Sequence, residues 1–131
     1  MALDENPLFT TYNDIISWYI RKNGVTKEII SARTGIAVRT LTSLFSKNAA
    51  SQKHSIRLLI ALAVGLKMLP AHAELMINLN GQFLRDSDIT ERYYKYLISA
   101  GSFGCVAACN DFLVEHGFKP LTDNENISIF E

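Results

Sequence analysis

Residues Thr26 to Lys47, TKEIISARTGIAVRTLTSLFSK, read as two short helices joined at a glycine, and the rest of the chain has to fold around that pair. Thr26 is a suitable N-cap, since its side-chain oxygen can accept from backbone donors that lack partners inside the helix. Glu28 falls in the first turn, where the helix dipole favours an acid. Gly35 can take the left-handed conformation that often ends a helix, with Ile30 before it and Ile36 filling the corner. The second helix follows at once. Its Leu41, Leu44 and Phe45 form one apolar stripe at i, i+3 and i+4, while Val38, Arg39, Thr42 and Ser43 fall elsewhere on the cylinder. One side is built for burial and the other is left to meet something.

The remaining segments also carry helical signals. There are only three prolines, Pro7, Pro70 and Pro120, and no long run alternates apolar with polar residues. After a loose arm of about ten residues, a first helix is expected from about Asn13 to Asn23. Its buried stripe is Ile15, Ile16, Tyr19 and Ile20, with Trp18 beside it, and Gly24 stops it. Past the polar loop NAASQKHS, Ile56 to Leu66 is apolar enough to form the centre of a core, closed by Gly65. The run AHAELMINLNGQFL predicts a fifth helix that buries Leu75, Met76 and Leu79 and weakens at Gly81. Asp86 or Asp88 can cap a sixth, ITERYYKYLISAG, with Ile89, Tyr93 and Leu97 facing inward. A seventh is expected from Ser102 to about His116, with Cys105, Val106, Cys109, Phe112 and Leu113 as its stripe, and Gly117 and Pro120 beyond its end. The tail from Thr122 is acidic, although Ile127 to Phe130 is apolar enough to dock onto something.

The formal net charge is zero, but the zero conceals a division. Residues 1–69 hold nine Lys or Arg against four acids; residues 70–131 hold four against nine. From Arg21 to Arg57 eight bases face Glu28 alone, so this segment suits a polyanion partner. The chain of 131 residues, about half of them hydrophobic, is long enough for one compact core or a small domain with an appendage. MALDENPLF is acidic and lacks the basic flank and apolar core of a secretory signal. The most apolar run carries Arg57 and Lys67 and falls short of the roughly 20 residues a membrane helix needs, so no membrane association is expected. Two cysteines four residues apart make no disulfide framework, and a reducing cytoplasm is the expected setting.

Other chemistry is thinly represented. His54, His72 and His116 are widely separated, lack neighbours at ligand spacing, and read as surface or capping residues. Cys105 and Cys109 share a helix face, but no second Cys/His pair accompanies them, so core packing is the plainer role. Tyr93, Tyr94 and Tyr96 invite base stacking, yet their acidic surroundings favour a core or a dimer interface. No glycine-rich phosphate loop, activated nucleophile or paired carboxylates can be picked out, so neither an enzyme nor a cofactor is expected.

The order of a first helix, a Thr-capped helix with Gly35 nine residues on, an adjoining helix and an apolar fourth helix resembles the Cro and lambda-repressor-like helix-turn-helix family, also called the xenobiotic-response-element type. The resemblance covers about Asn13 to Leu69. Thr26, Ser31, Gly35 and Ile36 match the family pattern, whereas Lys27 stands where Gln is usual, Thr34 where an apolar residue is usual, and Ala37 where a hydroxyl cap is usual. The second half, with LNGQFLRDSDITERYYKYLISAG and CNDFLVEHGFKPL, is similar to helical extensions found after such domains, through apolar spacing, Asn110 and the Gly117 to Leu121 turn.

What the resemblance implies is an all-α chain: a five-helix lambda-repressor-like helix-turn-helix domain over 1–69, then a small acidic helical extension over 70–131 for dimerisation or partner binding. The helix at 38–47 would enter the major groove of double-stranded DNA. Val38, Arg39, Thr42 and Ser43 are then the expected base contacts, with Arg39 the best candidate for a forked contact to guanine. Lys27, Thr40, Lys47 and Lys53 are the expected phosphate contacts, and Arg33 is left between the two roles. A cytoplasmic, homodimeric transcriptional regulator, a repressor of phage or bacterial type, is the reading that follows. Its alternative is a protein-binding module, such as an antitoxin, an anti-defence factor or an adaptor, using the departure at Ala37 and an exposed Ile29 as a partner surface.

Overall fold

The computed structural model describes residues 8–46, 54–100 and 105–122. Among these residues there are seven helices and no strand: α1 Tyr12–Asn23, α2 Lys27–Thr34, α3 Val38–Phe45, α4 Ile56–Gly65, α5 Pro70–Leu79, α6 Ile89–Ala100 and α7 Val106–Glu115. Ser102, Lys47, Lys53 and the apolar tail at Ile127 to Phe130 lie outside the described residues.

Local chemistry explains most helix ends. Thr11 opens α1 with a capping box: its hydroxyl accepts from the Asp14 backbone N–H at 3.2 Å, and the Asp14 carboxylate accepts from the Thr10 and Thr11 backbone N–H groups at 2.8 and 2.9 Å. These bonds, those from Thr10 first, hold the Asp14 carboxyl below its ordinary range. Gly24 ends α1 and Gly35 ends α2, both with positive φ. Thr26 caps α2 through the Ile29 N–H, and Ser55 caps α4 through the Leu58 N–H. Pro70 starts α5 at a position where its missing N–H costs nothing. Of the two aspartates that could cap α6, Asp88 does so, accepting from the Glu91 N–H at 3.1 Å.

α4 lies against α2, α5, α6 and α7, so the most apolar helix occupies the centre. Buried side chains from both halves of the chain, from Tyr12 and Ile15 to Leu113 and Leu121, join in one cluster. Across the compositional break near residue 70, α1 packs on α5 and α2 on α7. A further tie closes the C-terminal side. Asn110 accepts from the Leu121 N–H at 2.8 Å and donates to the Thr122 carbonyl at 3.2 Å, and the Thr122 hydroxyl donates to the Thr34 carbonyl at 2.6 Å.

Several sequence expectations are corrected. α4 ends at Gly65, one residue short of the expected Leu66, and the left-handed residue beyond it is Lys67, with φ 55°. Gly65 is also where α4 meets α2, since a β-carbon there would collide with the Thr34 side-chain methyl. α5 ends at Leu79 rather than continuing to Leu84, because Gly81 turns the chain with positive φ. The Asn80 side chain meanwhile accepts from the His54 N–H at 2.8 Å. The buried faces of α5 and α6 are rotated from the expected ones. α5 buries Ala73, Met76 and Ile77 and leaves Leu75 exposed; α6 buries Tyr94, Leu97 and Ile98 and leaves Ile89 exposed. On α6 the rotation brings Glu91 inward, where the Arg85 backbone N–H and guanidinium both bind it at 2.8 Å. α7 starts at Val106, and Cys105 is half-buried at its N-cap position.

Candidate nucleic-acid interface

The outward surface of α3 is set by what holds α3 down. Leu41 and Leu44 are fully buried, and α3 packs on both α1 and α2. At its far end the Asn13 side chain donates to the Ser46 carbonyl at 2.9 Å. At its near end the turn is fixed by Thr34: its hydroxyl donates to the Ile30 carbonyl at 2.7 Å and accepts from the Ile36 N–H at 3.1 Å. Thr34 thus satisfies its own polar atom within a buried corner, which accounts for a hydroxyl standing where the resembled family has an apolar residue. Its contacts with Gly65 and Thr122 were not legible in the sequence, because both lie far along the chain.

With both ends pinned, Arg39, Thr40, Thr42 and Ser43 are exposed together with Val38. Ala37 stands at the N-cap and offers no side-chain acceptor, so the first-turn donors of α3 have no side-chain partner there. The Thr42 hydroxyl donates back to the Val38 carbonyl at 3.0 Å. Its proton being engaged, Thr42 can offer a ligand an acceptor lone pair or its methyl group, but no donor. Ser43 keeps both capacities. Arg39 is exposed and, among the described residues, in no ion pair; the same holds for Arg21 and Arg33, and Lys27 joins no ion pair among them either. Lys27 is half-buried at the start of α2. Lys22 is turned to another task, its Nζ lying 4.8 Å from the centre of the Trp18 ring. Lys47 and Lys53, expected on phosphates, fall outside the described residues, as does most of the loop that joins α3 to α4.

Two histidines expected at the surface or at caps are instead partners of buried tyrosines. Tyr12 shares a 2.7 Å hydrogen bond with Nε2 of His54, and Tyr19 a 2.6 Å bond with Nδ1 of His72, while the Leu69 N–H donates to the Tyr19 oxygen at 3.0 Å. Burial pushes both rings below the usual imidazole range, and the Lys22 charge adds to this at His72. Cys109 is buried in the core, and burial with Cys105 as neighbour pushes its thiol up to about 12, so it packs rather than reacts. Among the described residues no group of three or more His, Cys, Asp or Glu could hold a metal ion, and no helix is long and apolar enough to cross a membrane. Comparison with protein-family models, with curated proteins and with solved structures finds no match for this chain.

Proposed function

We propose that the chain is a sequence-specific DNA-binding regulator of the helix-turn-helix type, with α3 as the helix that enters the major groove. The observation that supports it best is the short pair α2 and α3. It is pinned by Thr34, Leu41, Leu44 and Asn13, and its outward side chains include Arg39 with no carboxylate among the described residues to neutralise it. The surrounding sequence, eight bases against one acid from Arg21 to Arg57, suits a phosphate backbone. In this reading Arg39 forks onto guanine, and Val38 meets a thymine methyl. Thr42 accepts from an exocyclic amine and Ser43 serves either edge. Lys27, Thr40, Lys47 and Lys53 hold phosphates and set the register. The regulator would act as a repressor by occupying its site.

A salt series on random duplex DNA tests the reading. Three phosphate-bound lysines per copy give a slope of about −3 in log affinity against log salt. Absence of binding at low salt would overturn it. On a sequence selected from a random pool, Arg39→Ala should cost about 1–3 kcal/mol of discrimination at one base pair while helical content is kept. A second reading, a protein-binding module, is favoured by one feature: Ile29 and Val38, both apolar, are 41% and 37% exposed on the same helix pair. It predicts association that survives high salt and is lost in Ile29→Glu.

A further inference from the structure

We infer that the outer face of α6 and α7 is where a second copy of this chain binds, in a two-fold symmetric pair. Ile89, Arg92, Tyr93 and Tyr96 stand at i, i+3, i+4 and i+7 along α6 and, with Phe112 of α7, line an open groove of about 390 Å³. Its apolar side chains are unusually bare: Ile89 is 54% exposed and Tyr96 50%. Tyr93 lies 4.6 Å from Phe118 and 5.9 Å from Phe112 between ring centres, and Tyr96 lies 5.6 Å from Phe112, so the floor is a packed aromatic layer. The lining has one charged group, Arg92, at its edge. A solute pocket needs several convergent polar groups, whereas an aromatic layer with a charged border has the composition of a protein interface.

The charges beside the groove identify the occupant. Arg92 borders it on the α6 side; Asp111 and Glu115, four residues apart, form a ridge next to Phe112 on the α7 side, and all three are exposed. Of the other bases on this half, Lys95 reaches Asp86 at 3.5 Å and Glu74 at 3.9 Å and Arg85 reaches Glu91 at 2.8 Å, while the exposed Lys119, beyond the end of α7, joins no ion pair among the described residues. Arg92, Asp111 and Glu115 join no ion pair among the described residues. A face with a base on one edge, acids on the other and aromatics between is complementary to itself after a half-turn. The rotation lays Arg92 of each copy against the acidic ridge of the other and closes the two aromatic layers together. The pairing stands on this face alone and is tested without DNA.

Sedimentation of the full chain at micromolar concentration should give a dimer. Arg92→Glu alone, and Asp111→Lys with Glu115→Lys alone, each set like charges against one another and should weaken association about tenfold or more, with unchanged circular dichroism. An equimolar mixture of the two variants restores both sets of opposite charges and should dimerise as well as the original chain. A monomeric original chain, variants that dimerise unimpaired, or a mixture that stays apart would each overturn the inference. So would a full chain that becomes dimeric only on Ile127→Ser, Ile129→Ser and Phe130→Ser, since the groove would then belong to the chain's own C-terminal segment.

Discussion

Gly65 and Thr34 make the sharpest single-residue case. A β-carbon at Gly65 would collide with the Thr34 Cγ2 methyl, yet the next nearest atom, Thr34 Cβ, lies at 3.8 Å, an ordinary contact. Gly65→Ala should therefore cost about 1–3 kcal/mol through overpacking, against a helix-propensity gain of about 1 kcal/mol. Thr34→Ser keeps the hydroxyl that bonds Ile30 and Ile36 and removes only the methyl. In that background the same Gly65→Ala step should turn from destabilising to neutral or stabilising. A double-mutant cycle by urea denaturation measures the reversal, and equal costs in both backgrounds would discard the contact as the reason for the glycine.

At the scale of elements, α1 is clamped to the chain beyond it by two tyrosine–histidine pairs, Tyr12 with His54 and Tyr19 with His72. A neutral imidazole nitrogen can accept the tyrosine proton; a protonated one cannot. Because burial depresses the folded-state pKa of both rings, the unfolded chain binds the extra protons. Stability is then complete above the unfolded histidine value of about 6.5 and falls as the pH drops through it. Asp14, held low in the folded chain, acts in a separate and more acidic window, below its ordinary value of 3.8. Thermal midpoints measured from about pH 8 to pH 5 should decline, and His72→Gln, which keeps an acceptor without the titration, should flatten part of the decline. The same elements mark what could be read from sequence. The caps Thr26 and Asp88 and the stops Gly24, Gly35 and Gly117 were legible because they depend on a few neighbouring residues. The stripe Leu41 and Leu44 likewise defined which side of α3 faces out. The rotations of α5 and α6, the inward Glu91 and the histidine partners were not legible. Each is fixed by a residue on another segment, which periodicity within one helix does not encode.

At the scale of the whole molecule, charge and packing divide the chain differently. Composition changes sign near residue 70, but the core does not stop there: α2 and α4 lie against α7, α4 also lies against α6, and α1 lies against α5. Removing everything after residue 69 would return to water the faces of α1, α2 and α4 that the later helices cover. If only three large apolar side chains are re-exposed, at about 1.5–3 kcal/mol each, the loss is about 5–9 kcal/mol. Net stability of a domain is itself about 5–15 kcal/mol. The fragment 1–69 should therefore melt without a cooperative transition and bind a dye that reports exposed apolar surface, although it contains all of α2 and α3. A fragment that instead unfolds in one sharp step, at a midpoint close to that of the full chain, would mean that the acidic half merely rests on a self-sufficient basic domain.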